Sequence, residues 1–345
     1  MSLTRLVLPA CLVLALGLAA CGSNDDDGGG GQTAANQQSD TPSQGTGEGG
    51  KIKIAFSAPG ADHGWMAAIT ENARDEAEEL GDVELVTTEG VTDSAAQADQ
   101  IETLINQKPD ALVVLPNEGD ALTPVALKAT AAGIPVVNVD REFTELGAYR
   151  LLITGDNYGI GWQAGNYFAD QLKCEGNVVE IQGISGISVT EQRTQGFEDA
   201  IQQRCDGGIR IVASQPADFL PDKGLSVMEN ILQAQKDIDA VYTHDDDMAE
   251  GVVSAIENAN REDEMFLTGA GGSKAAMDRI EAGGLYRATF LYNPSMSASA
   301  IRLARLIVRG EGLEELAEPE VPSKIQVPAT TVTKDNVADV KELGF

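Results

Sequence analysis

The chain has 345 residues, room for two domains of ordinary size. Its 24 basic residues stand against 54 acidic ones, a formal net charge of −30, which excludes a nucleic-acid binder because that role needs a basic face. Acidity of this kind serves solubility outside the cytoplasm or in salt and says nothing about a ligand.

Residues 1–21 read as a targeting segment rather than as part of the fold. Arg5 supplies a positive start, and residues 6–20 are apolar yet short for a bilayer span. Leu18-Ala19-Ala20-Cys21 resembles a bacterial lipobox, so Cys21 is expected to be cut free, acylated and left as the new N-terminus. Two or more acyl chains suffice for stable anchoring. An ordinary secretory signal with an incidental cysteine, or a single anchor helix, is the competing reading. Residues 22–50 hold nothing apolar larger than alanine beyond one proline, cannot bury a core and read as a disordered tether. The Asp25-Asp26-Asp27 run within them is solvated linker charge rather than a metal site.

From Lys51 a βα rhythm begins. Residues 52–56, 83–87, 111–115 and 135–139 are nearly continuous in apolar residues, as buried parallel strands are. Residues 65–80, 94–107 and 121–132 read as the helices between them. Roughly thirty residues per βα pair, punctuated by Gly or Pro, predict a doubly wound α/β domain. Two strand ends carry polar residues. In Ala61-Asp62-His63-Gly64-Trp65, a Trp at a helix start ordinarily staples onto the core. In Val139-Asp140-Arg141, the Asp-Arg pair ordinarily reads as a surface ion pair contributing little. A metal or general-base role for His63 is weak, because the chain has only 2 histidines and no spaced carboxylates to complete a ligand shell.

The rhythm repeats with a helix near 159–172, a strand at 178–182 and a helix near 190–203. Residues 209–213 and 240–242 then have strand length and β-branched content, and Leu225, Met228, Ile231 and Leu232 recur between them at helical spacing. That is a parallel crossover. Its strands run into polar turns, Ala217-Asp218-Phe219 and His244-Asp245-Asp246-Asp247. Ligands of open α/β sheets sit at such strand ends. An aromatic ring beside carboxylates is what a polyhydroxylated ring needs: a flat apolar face, and acceptors for its hydroxyls. A strand at 266–268, a helix at 273–282, a strand at 288–292 and a helix at 295–309 follow. Cys174 and Cys205 remain once Cys11 leaves with the signal and Cys21 is acylated. In an exported protein a disulfide is expected, closing a loop of about thirty residues and contributing roughly 3–4 kcal/mol in the chain-entropy picture. No CxxC spacing supports a catalytic pair.

Residues 213–219 (ASQPADF), Lys223-Gly224-Leu225 with Val227, Met228 and Asn230, and residues 245–251 (DDDMAEG) resemble, without a gap, the second domain of the periplasmic ribose- and galactose-binding proteins. These are the type I sugar-binding subunits of bacterial ABC importers. The resemblance implies two doubly wound parallel-sheet, Rossmann-like α/β domains joined by a three-crossing hinge. The crossings fall near 153–157, near 292–295 and near 326–333. The N-terminal domain is then 51–155 plus 293–325, and the C-terminal domain 156–292 plus 326–345.

It also implies a ligand set. Trp65 becomes a stacking platform, His63 a hydrogen-bonding partner and Ser57 a polar neighbour at the strand end. Asp140 and Arg141 bind sugar hydroxyls, where the planar guanidinium fork serves two adjacent oxygens. Arg193 adds a second guanidinium, Phe219 stacks on the face opposite Trp65, and Asp245 accepts from hydroxyls. Asp246 is assigned a structural task at the next helix start, where a carboxylate is favoured. The 115–118 turn is assigned no ligand contact. The sequence departs from the family at three places: Asp245 replaces an Asn of the ribose binder, Gly271 stands where many members place a ligand-binding Asp, and Tyr292 occupies a usual Gln position. Unmatched buried polar groups cost about 1–3 kcal/mol each, so ribose itself is disfavoured against another pentose, a furanose hexose or a sugar alcohol.

The implied protein is an extracytoplasmic, lipid-anchored monomer that captures a monosaccharide or polyol and delivers it to an ABC permease. It needs no cofactor or metal, performs no catalysis and touches the membrane only through its lipid anchor. Three readings compete. A sugar sensor would present the same ligand to a chemoreceptor or histidine kinase. A sugar-responsive repressor would carry a helix-turn-helix where residues 22–50 form a tether. An enzyme would use the His244–Asp247 cluster as a metal site.

Overall fold

The computed structural model describes residues 50–345. The expected signal segment, with Cys21 as its expected lipidation site, and the expected tether up to residue 49 lie outside the described residues.

The chain alternates as β1 (Ile52–Ser57), α1 (Gly64–Leu80), β2 (Val83–Thr87), α2 (Ser94–Asn106), β3 (Ala111–Val114), α3 (Gly119–Ala131), β4 (Val136–Val139) and β5 (Leu151–Gly155). β3, β4 and β5 are buried at every residue, the condition that makes parallel strands read as unbroken apolar runs. The sequence treats 153–157 only as a crossing; the structure makes Leu151–Gly155 a central strand first, paired with β4 from Val137↔Leu151 to Val139↔Ile153.

The second half runs α4 (Asn157–Leu172), β6 (Gly176–Gln182), α5 (Ser188–Cys205), β7 (Ile209–Pro216), α6 (Pro221–Ala234), β8 (Ala240–Thr243), α7 (Asp246–Asn258), β9 (Phe266–Thr268), α8 (Lys274–Ala282) and β10 (Tyr286–Phe290). α9 (Met296–Arg309), β11 (Lys324–Val327), β12 (Thr331–Thr333) and α10 (Val337–Val340) complete it. The strand expected at 288–292 lies two residues earlier, because Ala288 pairs with both Thr268 and Thr333. Tyr292 therefore stands beyond the strand, held by its backbone N–H on Gly271 O at 2.9 Å.

Two six-stranded sheets result, ordered β11-β5-β4-β3-β1-β2 and β12-β10-β9-β8-β6-β7. All pairings are parallel except β10 with β12. The chain passes between sheets three times: after β5, after β10, and between β11 and β12. α9 returns to the first sheet and packs beside α1, where Ser297 Oγ donates to Ile69 O at 2.7 Å and Arg305 Nε reaches Asp82 at 2.9 Å. Cys174 and Cys205 are disulfide-bonded, tying the approach to β6 to the end of α5.

α4 and α5 approach closely through glycines. A Cβ at Gly161 would collide with the backbone of Arg193 and Phe197, and one at Gly196 with that of Tyr158 and Trp162. Only hydrogen side chains permit this contact, and it fixes where Arg193 leaves α5. Among the described residues no helix is long and apolar enough to cross a membrane, and no group of three or more His, Cys, Asp or Glu could hold a metal ion.

Candidate functional site

The strand ends of both lobes face one another across a small chamber lined by His63, Trp65, Asp140, Arg141, Val189, Arg193, Phe219, Asp245, Ala270, Gly271 and Tyr292. Eight of the nine nominated residues meet there. Ser57 does not line it. Fully buried in β1, it lies instead beneath Gln97, whose Nε2 donates to Ser57 Oγ at 3.2 Å and to Leu115 O at 2.9 Å. Sequence could not foresee that partner, which arrives from α2.

On the first lobe, Trp65 opens α1. Its indole Nε1 donates to Tyr292 O at 2.7 Å, and its ring lies 5.5 Å from that of Tyr292. Its backbone N–H donates to Asp247 Oδ2 at 3.1 Å, a contact across the two lobes. The indole is thus both buried against the core and part of the chamber wall. Beside it His63 Nδ1 is paired with Asp62 Oδ1 at 2.6 Å. Burial disfavours its imidazolium, but the bond to Asp62 and the fields of Asp245 and Asp247 prevail and hold His63 above the usual imidazole range.

At the end of β4, Asp140 takes φ 64°, a left-handed conformation that Asp tolerates better than most residues. The turn is fastened by Asp140 N–H on Ile153 O at 2.9 Å and by Thr154 Oγ1 on Asp140 O at 3.1 Å. The Tyr292 hydroxyl donates to Asp140 Oδ1. Arg141 Nη1 donates to Asn117 O at 2.7 Å, while its Nε, 3.9 Å from Asp140 Oδ2, finds no hydrogen-bond partner among the described residues. The 115–118 turn therefore serves by steadying Arg141. Burial raises the Asp140 carboxyl despite Arg141 and Tyr292, and burial also lowers the Arg141 guanidinium.

On the second lobe, Arg193 is 3% exposed, against the ordinary expectation for an arginine early in a helix. Its Nε donates to Asn157 Oδ1 at 3.0 Å, its Nη1 to His244 O, and its guanidinium lies 4.7 Å over the Tyr292 ring. Phe219 takes φ 66° after Asp218 at φ 55°. These two left-handed residues fold the ring back over Gly183, where a Cβ would strike it. Its centroid lies 6.2 Å from that of His63 across the cleft.

The acidic turn after β8 divides its work differently from expectation. Asp245, not Asp246, caps α7, with Oδ1 accepting from Met248 N–H at 2.9 Å. Burial pushes its carboxyl up to about 7, and Asp247 and Asp246 add to the rise. Asp246 instead clamps the neighbouring loop, accepting from Gly272 N–H at 2.7 Å, Ser273 N–H at 2.8 Å and the Tyr286 hydroxyl at 2.7 Å. That clamp sets Gly271 at φ 135° on the chamber wall. His244 faces away into the core on Glu180 Oε1 at 3.0 Å, so the metal-site reading of this turn loses its histidine. Val189, Ala270 and Asn157 were not nominated from sequence. The first two are small apolar residues with no chemical signature, and Asn157 acts through Arg193 and through Tyr292, whose hydroxyl its Nδ2 reaches at 3.2 Å.

Two carboxylates and two guanidinium groups oppose one another in this small space, with aromatic rings contributed by both lobes. Such a set suits an uncharged molecule rich in hydroxyls. Two doubly wound lobes, three connecting passages and a buried polar chamber between them define a bilobed solute-binding protein.

The sequence matches the family described as periplasmic binding protein domain over residues 54–312, and the chain belongs to that family. It is 32% identical over 231 residues to the ribose import binding protein of Bacillus subtilis, covering 67% of this chain and 73% of that one. It is 29% identical over 328 residues to the xylitol-binding protein of Mycolicibacterium smegmatis, covering 93% of this chain and 83% of that one. A crystal structure of an ABC transporter periplasmic solute-binding protein from Actinobacillus succinogenes with bound D-allose superposes with TM-score 0.74. It is 27% identical and covers 84% of this chain and 100% of that one. These relatives are binding proteins rather than enzymes.

Proposed function

We propose that this protein captures an uncharged monosaccharide or sugar alcohol between its lobes and delivers it to an ABC transporter permease. The observation that carries the reading is the meeting of Trp65, Asp140 and Arg141 from one lobe with Arg193, Phe219, Asp245 and Tyr292 from the other in one chamber. Relatives that bind ribose, xylitol and D-allose support a ligand of five or six carbons. Trp65 and Phe219 serve as its apolar faces; Asp140 and Asp245 accept from hydroxyls, and Arg141, Arg193 and His63 donate. Because both lobes contribute, ligand binding and lobe closure are one equilibrium, shifted by the contacts present only in the closed form. Acidic and basic side chains face one another in the chamber, which disfavours ligands of strong net charge.

We further propose that Cys21 carries the lipid anchor and that the protein acts as a monomer at the outer face of the cytoplasmic membrane. Replacing Cys21→Ser is expected to release the protein from membranes, read by fractionation. The ligand is found by a thermal-shift screen of pentoses, hexoses and polyols. A fitting sugar at about a hundredfold excess over its dissociation constant adds roughly 2.7 kcal/mol of stability. A panel in which no sugar or polyol raises the midpoint, while a charged metabolite does, overturns the reading.

A further inference from the structure

Beneath the second-lobe half of the chamber lies a polar cluster that touches no ligand-facing surface. Glu180, in the middle of β6, is 0% exposed. Its carboxylate accepts four hydrogen bonds: Oε1 from Thr194 Oγ1 at 2.8 Å and His244 Nε2 at 3.0 Å, Oε2 from Ser214 Oγ at 2.6 Å and Gln182 Nε2 at 3.1 Å. The donors come from α5, the β8–α7 turn, β7 and β6 itself. Neither Glu180 nor any of the four lines the chamber.

Two of these donors are chain neighbours of site residues. Thr194 follows Arg193 in α5, and His244 precedes Asp245 in the turn. The circuit closes on itself, because Arg193 Nη1 donates to the carbonyl of His244. From Glu180 one path runs through Thr194 to the backbone of Arg193, and another through His244 to the same guanidinium. His244 Nδ1 is buried with no hydrogen-bond partner among the described residues, and burial holds the imidazole below its usual range, so the tautomer with its proton on Nε2 is the one that suits the contact with Glu180. Burial opposes ionisation of Glu180, yet the bonds from His244, Ser214 and Thr194 keep its carboxyl below the usual range. A buried ionised carboxylate is poor material for stability, since a well-packed apolar group serves a core as well or better. Fixing several elements in one arrangement is what a carboxylate accepting four hydrogen bonds does supply.

We propose that Glu180 is a positioning residue of the binding site: through Thr194 and His244 it holds Arg193 and Asp245 in register with each other before any ligand arrives. All members belong to the second lobe, so the arrangement persists whether the lobes are open or closed. The proposal rests on the sugar-binding reading for its consequence in affinity, but not for its geometry.

The test uses Thr194→Val, which removes the hydroxyl at nearly constant shape, Thr194→Ser, which retains it, and Glu180→Gln. The first readout is the Nε–H resonance of Arg193 by NMR in the ligand-free protein, where an ordered guanidinium gives a sharp, slowly exchanging signal. The second is the dissociation constant for the sugar found by the thermal screen, with melting temperature followed in parallel. Thr194→Val and Glu180→Gln are expected to broaden or abolish the Arg193 signal and to weaken binding at least tenfold. Thr194→Ser is expected to keep both within about threefold of the parent. An Arg193 resonance unchanged in Thr194→Val overturns the proposal, whatever Glu180→Gln does to folding. A loss that Thr194→Ser fails to restore overturns it equally, because packing and not the hydroxyl would then be responsible. Should the parent bind no sugar, the functional reading fails, while the resonance still decides this one.

Discussion

Arg193 and Arg141 offer the chamber the same chemistry from opposite lobes, and they are held differently. Arg193 has Nε on Asn157 Oδ1 at 3.0 Å, Nη1 on the carbonyl of His244 and its plane 4.7 Å over the Tyr292 ring. Arg141 rests Nη1 on Asn117 O at 2.7 Å and leaves a buried Nε with no hydrogen-bond partner among the described residues. Likewise Asp245 has one oxygen engaged by the Met248 N–H of its own lobe, whereas Asp140 takes its hydrogen bond from Tyr292, which follows β10 of the other lobe at the second passage between sheets. The second-lobe half is held by partners within its own lobe. The first-lobe half is completed by what comes across to it, so a ligand's stabilising contacts are expected to concentrate on Arg141 and Asp140.

The largest effect should follow from Arg141→Ala. Removing a guanidinium that makes charge-assisted bonds of about 1.5–3 kcal/mol each is expected to raise the dissociation constant at least a hundredfold. Isothermal titration measures it, and circular dichroism should report a folded protein. An unchanged affinity would place the ligand elsewhere.

A smaller effect separates the two carboxylates by pH. With the Asp245 carboxyl near 7, lowering pH from 8 to 6 protonates an acceptor, and affinity should fall by up to about tenfold per unit below 7. The ligand-free protein should respond with the opposite sign. Between the ordinary carboxyl pKa of 3.8 and about 7, the unfolded chain has lost a proton that folded Asp245 still holds. Stability from this group is therefore fully present below that window and is lost as pH rises through it. Asp245→Asn should flatten both profiles, read by titration calorimetry and by denaturant unfolding across pH.

The smallest effect on binding belongs to the disulfide. Replacing Cys174 and Cys205 by Ser together should cost roughly 3–4 kcal/mol of stability in chemical denaturation while leaving the dissociation constant within about twofold. The bond closes α5 at the end away from Arg193, so its loss tests whether the second-lobe half depends on local contacts alone.

The same contrast explains what was legible in the sequence. Strands buried on both faces announce themselves as apolar runs, so β1, β3, β4, β6, β8 and β9 were readable from burial, while the edge strands β2 and β7 were readable from strand length and β-branched content. Trp65, Asp140, Arg141 and Phe219 were nominated by the family resemblance; taken alone, Trp65 reads as a core staple and Asp140-Arg141 as a surface ion pair. What could not be read depends on a partner distant in sequence. Ser57 has the right chemistry and place along β1, yet Gln97 occupies it. Asp245 and Asp246 are adjacent carboxylates whose tasks are divided by the 269–273 loop, which only the fold brings to Asp246. β10 is displaced because its register is set by β9 and β12, not by its own most apolar residues.

The glycine contact between α4 and α5 bears on motion. α4 begins at Asn157, two residues past the end of β5 and so at the first passage between sheets, and its backbone lies directly on that of α5 at Gly161 and Gly196. No flexible side chain cushions that junction. A turn of the hinge is therefore expected to pass rigidly, as by a crank, from α4 to α5 and so to Arg193. A methyl group at Gly161 or Gly196 would loosen the linkage, and the arginine would arrive off its mark even in a protein that still folds and still closes.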